Sequence, residues 1–217
     1  MTEFLPILLD GARVTAAITA VAALLAVLLA FASGLARLSR LTLLRGISIV
    51  YVELFRGSSL LVQLFWLFFV LPHFGVTLTP FQTAVLGLGL NIGAYGSEVV
   101  RGAVLAVPAG QTAAADALGL TGYQVMRYVV MPQAFLCMLP LWGNLLIELL
   151  KGTALVSLIT VSDLAFRAYQ LNQATFRTAE IFTMALAIYG LLALAIAGGT
   201  RGLERRLSRH RLAREHL

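Results

Sequence analysis

A few ionisable side chains interrupt otherwise apolar stretches of the sequence, and these residues are the candidates for chemistry. Glu98 lies in one such stretch, and Glu148 and Lys151 lie close together in another. A charge inside a bilayer is costly unless it is paired or hydrated, so an ionisable residue there is a functional candidate by default. Glu148 and Lys151 are three residues apart and share one face of a helix. They could neutralise each other, Lys151 could extend to the membrane interface, or both could line a path with Asn144.

The third alternative has a chemical reason. A solute that carries both charges needs one partner of each sign, and Glu148 and Lys151 supply them. Tyr95 and Trp142 are the aromatic residues that we place nearest this path, because a cation gains about 0.5–2 kcal/mol over an aromatic face. Packing is the competing explanation for both rings, since the sequence contains many other aromatic residues.

Two further patterns predict structural roles. Glu53 and Arg56 are three residues apart, which favours an ion pair at the end of a helix. Gly89 and Gly93 are four residues apart and form a face of small residues that allows another helix to approach closely. That helix could belong to the same chain or to a second subunit.

Several kinds of chemistry have no support in the sequence. His73, His210 and His216 do not show metal-ligand spacing, and no GxxxxGK[ST] loop occurs. We therefore expect no metal and no bound cofactor, and expect any ATP hydrolysis to be carried out by a separate subunit. An intramembrane enzyme is disfavoured because no histidine lies within a predicted span to activate a serine. The single cysteine, Cys137, excludes a disulfide framework.

The composition indicates an integral membrane protein. Of the 217 residues, 59% are hydrophobic and 12% charged, against about 25% charged in soluble domains. The formal net charge is +6. The basic residues sit beside apolar stretches, which is typical of the cytoplasmic side of a membrane protein rather than of nucleic-acid binding.

Length and hydropathy predict an all-α bundle of about five transmembrane helices, since a helix needs roughly 20 residues to cross a bilayer. The predicted spans are about 14–36, 53–71, 81–105, 133–151 and 181–200, followed by a basic tail at 201–217. Arginines between the first two spans and in the tail place both segments in the cytoplasm and the N-terminus outside. The chain forms one transmembrane domain in this interpretation. A secondary transporter would be small with five spans, no inverted repeats are visible, and the patterned segment at about 106–131 would be unexplained.

The segment about 106–131 has the pattern of a helix, a turn and a second helix on the cytoplasmic side. An alanine-rich stretch from Gln111 to Leu118 predicts the first helix, and Gly119 ends it. Thr121 is suited to cap a second helix over about 122–130, before Pro132. Such a segment could be a docking surface or only a structured connector.

Four motifs in order resemble the permeases of bacterial ABC importers, in the polar amino-acid uptake branch. Residues 108–119 read PAGQTAAADALG and are followed by PQA at 132–134, which is similar to that family's EAA motif. The other three motifs are YVELFRG at 51–57, AYGSEVVRG at 94–102 and LKGTAL at 150–155. The resemblance covers almost the whole chain.

The resemblance implies a function and a set of partners. The chain would be a permease subunit in the bacterial inner membrane that moves a small polar solute by alternating access. Its partners would be an ATP-binding subunit, a periplasmic or lipid-anchored solute-binding protein and a second permease subunit, identical or related. The resemblance implies coupling to the ATPase through one set of residues: Gly110, Gln111, Ala113, Ala114, Asp116 and Gly119.

Two departures from the family pattern matter. Ala113 stands where the motif has its glutamate, which removes one interaction that orders the turn; a sister subunit could carry that glutamate instead. Ser58-Ser59 and Gly152-Thr153-Ala154 are more similar to the ectoine and hydroxyectoine permeases than to the amino-acid permeases. Ectoine or hydroxyectoine is therefore the expected solute, with a polar amino acid as the alternative.

Overall fold

The protein is all-helical throughout the part that the computed structural model describes, residues 3–212, of which 208–212 are described only as helical backbone. The α-helices are α1 Leu5–Ala36, α2 Thr42–Gly57, α3 Leu60–Phe65, α4 Pro80–Leu105, α5 Ala109–Ala117, α6 Gly122–Gln124, α7 Met131–Gly152, α8 Leu164–Thr175 and α9 Thr178–Leu212. A π turn at Trp66–Val70 and a 3-10 turn at Leu71–Phe74 extend α3, and a 3-10 turn at Thr153–Ile159 follows α7.

Helix length and composition agree with a membrane bundle. Three helical segments are long and apolar enough to cross a bilayer: Leu5–Ala36, Gly122–Ile159 and Thr178–Leu207. The bent pair Thr42–Gly57 and Leu60–Phe74 would make a fourth crossing. The remaining predicted span lies in α4, which has 26 residues but carries Asn91, Glu98 and Arg101 and is therefore less apolar. The number of crossings and the orientation of the chain stay predictions.

Small residues allow α1 and α4 to lie against each other along most of their length. Ala22, Ala26 and Ala30 of α1 are fully buried. A Cβ built on Gly96 of α4 would lie 2.8 Å from Cβ of Ala30, and one on Gly89 would lie 2.6 Å from Cδ2 of Leu25. The small-residue face of α4 is therefore used for packing inside this chain, which answers the question that the sequence left open.

The helices α2 and α3 meet at a sharp bend of 105°. Gln63 of α3 reaches back across it: its Nε2 donates to the carbonyl of Phe55 at 2.9 Å and to Oγ of Ser58 at 2.8 Å. Asn91 of α4 donates from Nδ2 to the same carbonyl at 3.0 Å and to Oε1 of Gln63 at 3.2 Å. The carbonyl that the break exposes is thus satisfied inside the protein, as a helix break at membrane depth requires.

The helices extend past the predicted spans in three places, while the membrane crossings themselves stay predictions. The predicted second span begins at about 53, whereas α2 begins at Thr42. The predicted break before the fourth span is absent, because Gly122–Ile159 forms one continuous helical segment. A π turn at Val125–Val130 precedes Pro132 and accommodates a residue that cannot donate a backbone hydrogen bond. The basic tail continues α9 as helix to Leu212, and residues 213–217 lie outside the described range.

The remaining packing joins α8 to α1 and α9. A Cβ on Gly11 of α1 would lie 2.9 Å from the carbonyl oxygen of Asp163, so the start of α8 lies directly on α1. The Asp163 side chain is fully buried and caps α8, since its Oδ1 accepts from the Phe166 amide at 2.9 Å. Its Oδ2 accepts a hydrogen bond from the Tyr189 hydroxyl of α9 at 3.3 Å. One short loop therefore ties three helices together.

Candidate functional site

A cavity of about 470 Å³ lies where four parts of the chain meet: the α2–α3 bend, α4, α7 and the turn after α7. Its size falls within the range of about 300–1,000 Å³ that is typical of small-molecule sites. The lining is mixed. Its polar members are Ser58, Ser59, Asn91, Tyr95, Glu148 and Lys151, and its apolar members include Leu60, Leu88, Ile92 and Leu155.

The two opposite charges of α7 both face this cavity. Glu148 and Lys151 are exposed, and no ion pair joins them among the described residues. The alternative in which the two charges neutralise each other is therefore not the arrangement seen here. Asn144 lies about one turn before Glu148 on α7 and is exposed, but it is not part of the cavity lining. Both charges are available to a solute that enters.

The α2–α3 bend positions the serines of the cavity. Because the bend interrupts the helix, Ser58 and Ser59 lie at the turn between α2 and α3, with extended backbone at both positions. The hydroxyl of Ser58 donates to the Leu54 carbonyl at 2.6 Å and accepts from Gln63. The residues that hold the bend, Gln63 and Asn91, therefore also shape this wall of the cavity.

Glu98 occupies a different place from the other predicted path residues. Its Oε1 accepts from Nη1 of Arg37 at 2.7 Å and from Nη1 of Arg56 at 3.0 Å, and its Oε2 accepts from Nε of Arg101 at 3.1 Å. Glu98 thus joins the end of α1, the end of α2 and α4. The predicted Glu53–Arg56 ion pair is wrong, because Arg56 turns to Glu98 and Glu53 is exposed.

The two predicted aromatic residues are separated by the fold. Tyr95 is half-buried in the cavity wall, and the guanidinium carbon of Arg56 lies 5.3 Å from the centre of its ring. Trp142 is only 8% exposed and does not line the cavity. Its ring lies 2.7 Å from the position of a Cβ on Gly96, so Trp142 fills the space which that glycine leaves.

The predicted coupling segment forms an exposed surface. Of the residues in α5, Ala115 is buried, whereas Gly110, Gln111, Ala113, Ala114 and Asp116 are exposed. Gly119 follows the helix with a positive φ of 76°, a conformation that suits glycine. Thr121 caps the next helix as predicted, since its Oγ1 accepts from the Gln124 amide.

Two apolar side chains beside α5 were not identified from the sequence. Leu118 is 81% exposed and Tyr123 is 71% exposed. Both follow shortly after α5 in the chain and belong to the predicted coupling segment.

A family comparison identifies the type of protein. The model of a family described as "binding-protein-dependent transport system inner membrane component" matches residues 22–209. The chain belongs to this family. Its membrane location and its role as a transport component follow from that membership and from the apolar helices.

Individual relatives match over nearly the full length. The chain is 44% identical over 207 residues to a probable amino-acid ABC transporter permease, y4tF, of Sinorhizobium fredii, covering 93% of this chain and 87% of that protein. It is 38% identical to the L-cystine transport system permease TcyB of Bacillus subtilis, covering 96% and 89%. A solved amino-acid ABC transporter, crystallised with histidines, contains a chain that matches with a TM-score of 0.89 and 34% identity, covering 95% of this chain and 96% of that one.

Within this family member, the sequence brought forward some cavity residues and missed others. Glu148 and Lys151 were recognised because charged groups are conspicuous in apolar spans, and Tyr95 because an aromatic face can bind a cation. Ser58, Ser59 and Asn91 were missed as cavity residues, since small polar side chains are common in such spans and only the bend brings them together. No group of three His, Cys, Asp or Glu residues that could hold a metal ion occurs in the described range.

Proposed function

We propose that this chain is the permease subunit of an ATP-driven importer and that it moves a polar amino acid across the bacterial inner membrane. The observation that carries the proposal is the cavity, in which a carboxylate and an ammonium group lie on one helix face without pairing to each other. An amino acid presents the complementary pair of charges. Ser59 adds a hydroxyl group to the same lining, and Asn91, whose amide nitrogen already donates twice, adds an oxygen that can accept.

The relatives support an amino acid over ectoine. The proteins from Sinorhizobium fredii and Bacillus subtilis are named for amino-acid and L-cystine transport, and the solved neighbour is an amino-acid transporter. The Ser58-Ser59 pattern that favoured ectoine or hydroxyectoine lines part of the cavity. The Ser58 hydroxyl donates to the Leu54 carbonyl, so the Ser59 hydroxyl is the one suited to a carboxylate of either solute.

The proposed partners follow from two exposed surfaces. The α5 surface, with Leu118 and Tyr123, is suited to dock an ATP-binding subunit, which would hydrolyse the ATP while this chain binds no cofactor itself. The face of α7 that carries Asn144, Glu148 and Lys151 is exposed, and a second permease subunit would cover it and close the path. In this arrangement the N-terminus lies outside, α5 lies in the cytoplasm and a solute-binding protein delivers the amino acid to the outer face.

Stimulated ATP hydrolysis tests the proposal. The chain would be reconstituted in liposomes with its neighbouring ATPase, binding protein and sister permease, then assayed with polar amino acids, ectoine and hydroxyectoine. We expect one or more amino acids to stimulate hydrolysis and to accumulate inside. Stimulation by ectoine alone would reverse the choice of solute, and failure to assemble with an ATPase would refute the importer.

A pair of variants ties the result to the cavity. Glu148→Gln removes the carboxylate that the solute's amino group would contact, so we expect uptake to fall about tenfold, the effect of about 1.4 kcal/mol. Glu53→Gln makes the same change at an exposed glutamate outside the cavity and should leave uptake unchanged. If the two variants showed equal uptake, the cavity would not be part of the path that the solute follows.

A further inference from the structure

Three guanidinium groups converge on the single carboxylate of Glu98. Arg37, Arg56 and Arg101 approach its oxygens at 2.7, 3.0 and 3.1 Å. Among the residues that the structure describes, none of the three arginines pairs with another carboxylate. The cluster therefore contains more positive charge than negative charge.

The exposure of the three arginines differs. The side chain of Arg37 is only 12% exposed, and those of Arg56 and Arg101 are 38% and 37% exposed. Partly buried cations that lack a counter-charge are costly, and a planar guanidinium presents five N–H donors, so one carboxylate does not exhaust three of them. The cluster is thus complementary to one more anion, most of all to a carboxylate.

The cluster also touches the cavity. Arg56 contacts Glu98 with one nitrogen while its guanidinium lies over the ring of Tyr95, which forms part of the cavity wall. Along α4, Tyr95, Glu98 and Arg101 follow one another at steps of three residues, about 4.5 Å of helix rise each. The excess charge therefore begins at the cavity wall and extends towards the α5 end of α4.

We propose that Arg56, together with Arg37 and Arg101 around Glu98, forms a second anion site that receives the carboxylate of the solute after it leaves the cavity. The proposal rests on the proposed function and deepens it. In the cavity the carboxylate of the solute contacts Lys151. As the solute moves towards α5, its carboxylate leaves Lys151 and binds the guanidinium of Arg56. Every amino acid has such a carboxylate, so the site serves the passage of the whole class rather than the choice among side chains.

Chemical protection tests the site without requiring transport. The complete importer in phosphatidylcholine liposomes would be treated with an arginine-specific dicarbonyl reagent, and labelling of each arginine quantified by mass spectrometry. Sodium acetate and glycine serve as carboxylate probes, and sodium chloride and methylammonium chloride at the same ionic strength serve as controls. We expect acetate and glycine to slow the labelling of Arg56 about threefold once the probe reaches about twice its Kd. Arg13, which is exposed and pairs with Asp10, should react at one rate throughout.

Three results would overturn the proposal. Equal labelling of Arg56 in acetate and chloride would mean that the cluster is a structural ion-pair network only. No labelling of Arg56 at all would mean that small molecules do not reach it. Protection that appears only in liposomes containing phosphatidylglycerol would assign the anion to lipid phosphate instead of the solute.

Uptake then links the site to passage. Arg56→Gln should lower uptake about tenfold while hydrolysis stimulated by the loaded binding protein falls much less, and Arg56→Lys should restore part of the uptake. Arg13→Gln is the matched control and should match the wild type. A fall of uptake, hydrolysis and assembled yield together in Arg56→Gln, without rescue by lysine, would indicate a structural role. Protection of Arg56 without any uptake would support the anion site and refute the importer. Uptake without protection of Arg56 would support the importer and refute the anion site.

Discussion

Helix α4 separates two regions that are built in opposite ways. The face against α1 contains Gly89, Gly93 and Gly96, and a Cβ built on each of them would lie within 3 Å of Leu25, Leu29 and Ala30 of α1, respectively. The face against α3 and α7 carries Asn91 and Tyr95 and encloses a cavity of about 470 Å³. One helix thus forms a closely packed contact on one face and borders a cavity on the other.

The difference shows how a membrane protein can hold polar groups at depth. Between helices in lipid, close packing of small residues replaces the hydrophobic driving force. The α1–α4 contact therefore supplies a rigid support, and the polar face of α4 is held in place against a cavity that gives no packing energy. We expect substitutions on the first face to change stability and those on the second to change transport.

The largest effect on stability is expected at Gly34, at the α5 end of the α1–α4 contact. A Cβ there would lie 2.8 Å from Cβ of Val100 and 2.9 Å from the carbonyl oxygen of Ser97, which is backbone and cannot turn away. Gly34→Val should cost about 1–3 kcal/mol or more, measured as a lower thermal unfolding midpoint in detergent. Gly102→Ala on α4 is the control, because nothing lies within 4 Å of its Cβ position. Equal midpoints would show that the contact is not rigid.

The opposite result is expected for Lys151 on the cavity side. Lys151→Met keeps the length of the side chain and removes its charge, so uptake should fall about tenfold while the unfolding midpoint stays the same or rises. Lys151→Arg retains the charge and should retain more of the uptake. A midpoint that falls in step with uptake would mean that the cavity face also holds the fold together.

Asn91 is expected to affect both stability and transport, since it borders the cavity and also donates across the α2–α3 bend. The Phe55 carbonyl keeps Gln63 as a donor when Asn91 is truncated. Asn91→Ala should therefore cost only about 1 kcal/mol of stability and reduce uptake by a larger factor than stability alone explains. Measuring both quantities on one preparation distinguishes this from a purely structural role, in which uptake would follow the folded fraction.

The smallest effect is a pH dependence where α8 contacts α1. Asp163 lies between the turn after α7 and α8, outside the candidate crossings, and burial raises its pKa from 3.8 to about 6 against the hydrogen bonds that lower it. The protonated carboxyl is thus favoured in the folded protein. Its stabilising contribution is complete below about pH 4 and disappears as the pH rises through about 6.

Asp163→Asn should remove this dependence, so the unfolding midpoint of the variant would change less than that of the wild type between these pH values. The Tyr189 hydroxyl of α9 donates to the Asp163 carboxyl, and Thr15 of α1 accepts from the amide of the next residue, Leu164. Tyr189→Phe keeps the carboxyl and removes one donor, and it should raise the pKa of Asp163 further. An unchanged pH profile in Asp163→Asn would assign the dependence to another group.

The sequence was informative wherever one residue type is rare in its surroundings. Glu148 and Lys151 stand out in an apolar span, and the structure places both on the cavity. The same argument brought Glu98 forward but could not show that three arginines surround it, because Arg37 and Arg56 lie 61 and 42 residues away along the chain. Local spacing instead predicted a Glu53–Arg56 pair, but in the structure Arg56 pairs with Glu98 of another helix.

Trp142 and Pro132 show the same limit. From the sequence, the Trp142 ring could either contact a solute or fill a space beside a glycine. The position of Gly96 in the structure shows that it fills such a space. The proline at 132 predicted a helix boundary, yet the π turn before Pro132 lets one helical segment continue through it.

By itself, the sequence determined that the chain is a helical membrane protein with an exposed helix outside the bundle, because hydropathy, alanine content and glycine position are local properties. Only the tertiary structure decided which polar residues meet. The α2–α3 bend brings Ser58 and Ser59 to Asn91, and the α1–α4 contact brings Arg37 to Glu98. The physical reason is that the pairing of side chains depends on how closely helices approach and at what angle, and small residues distant in the chain set both.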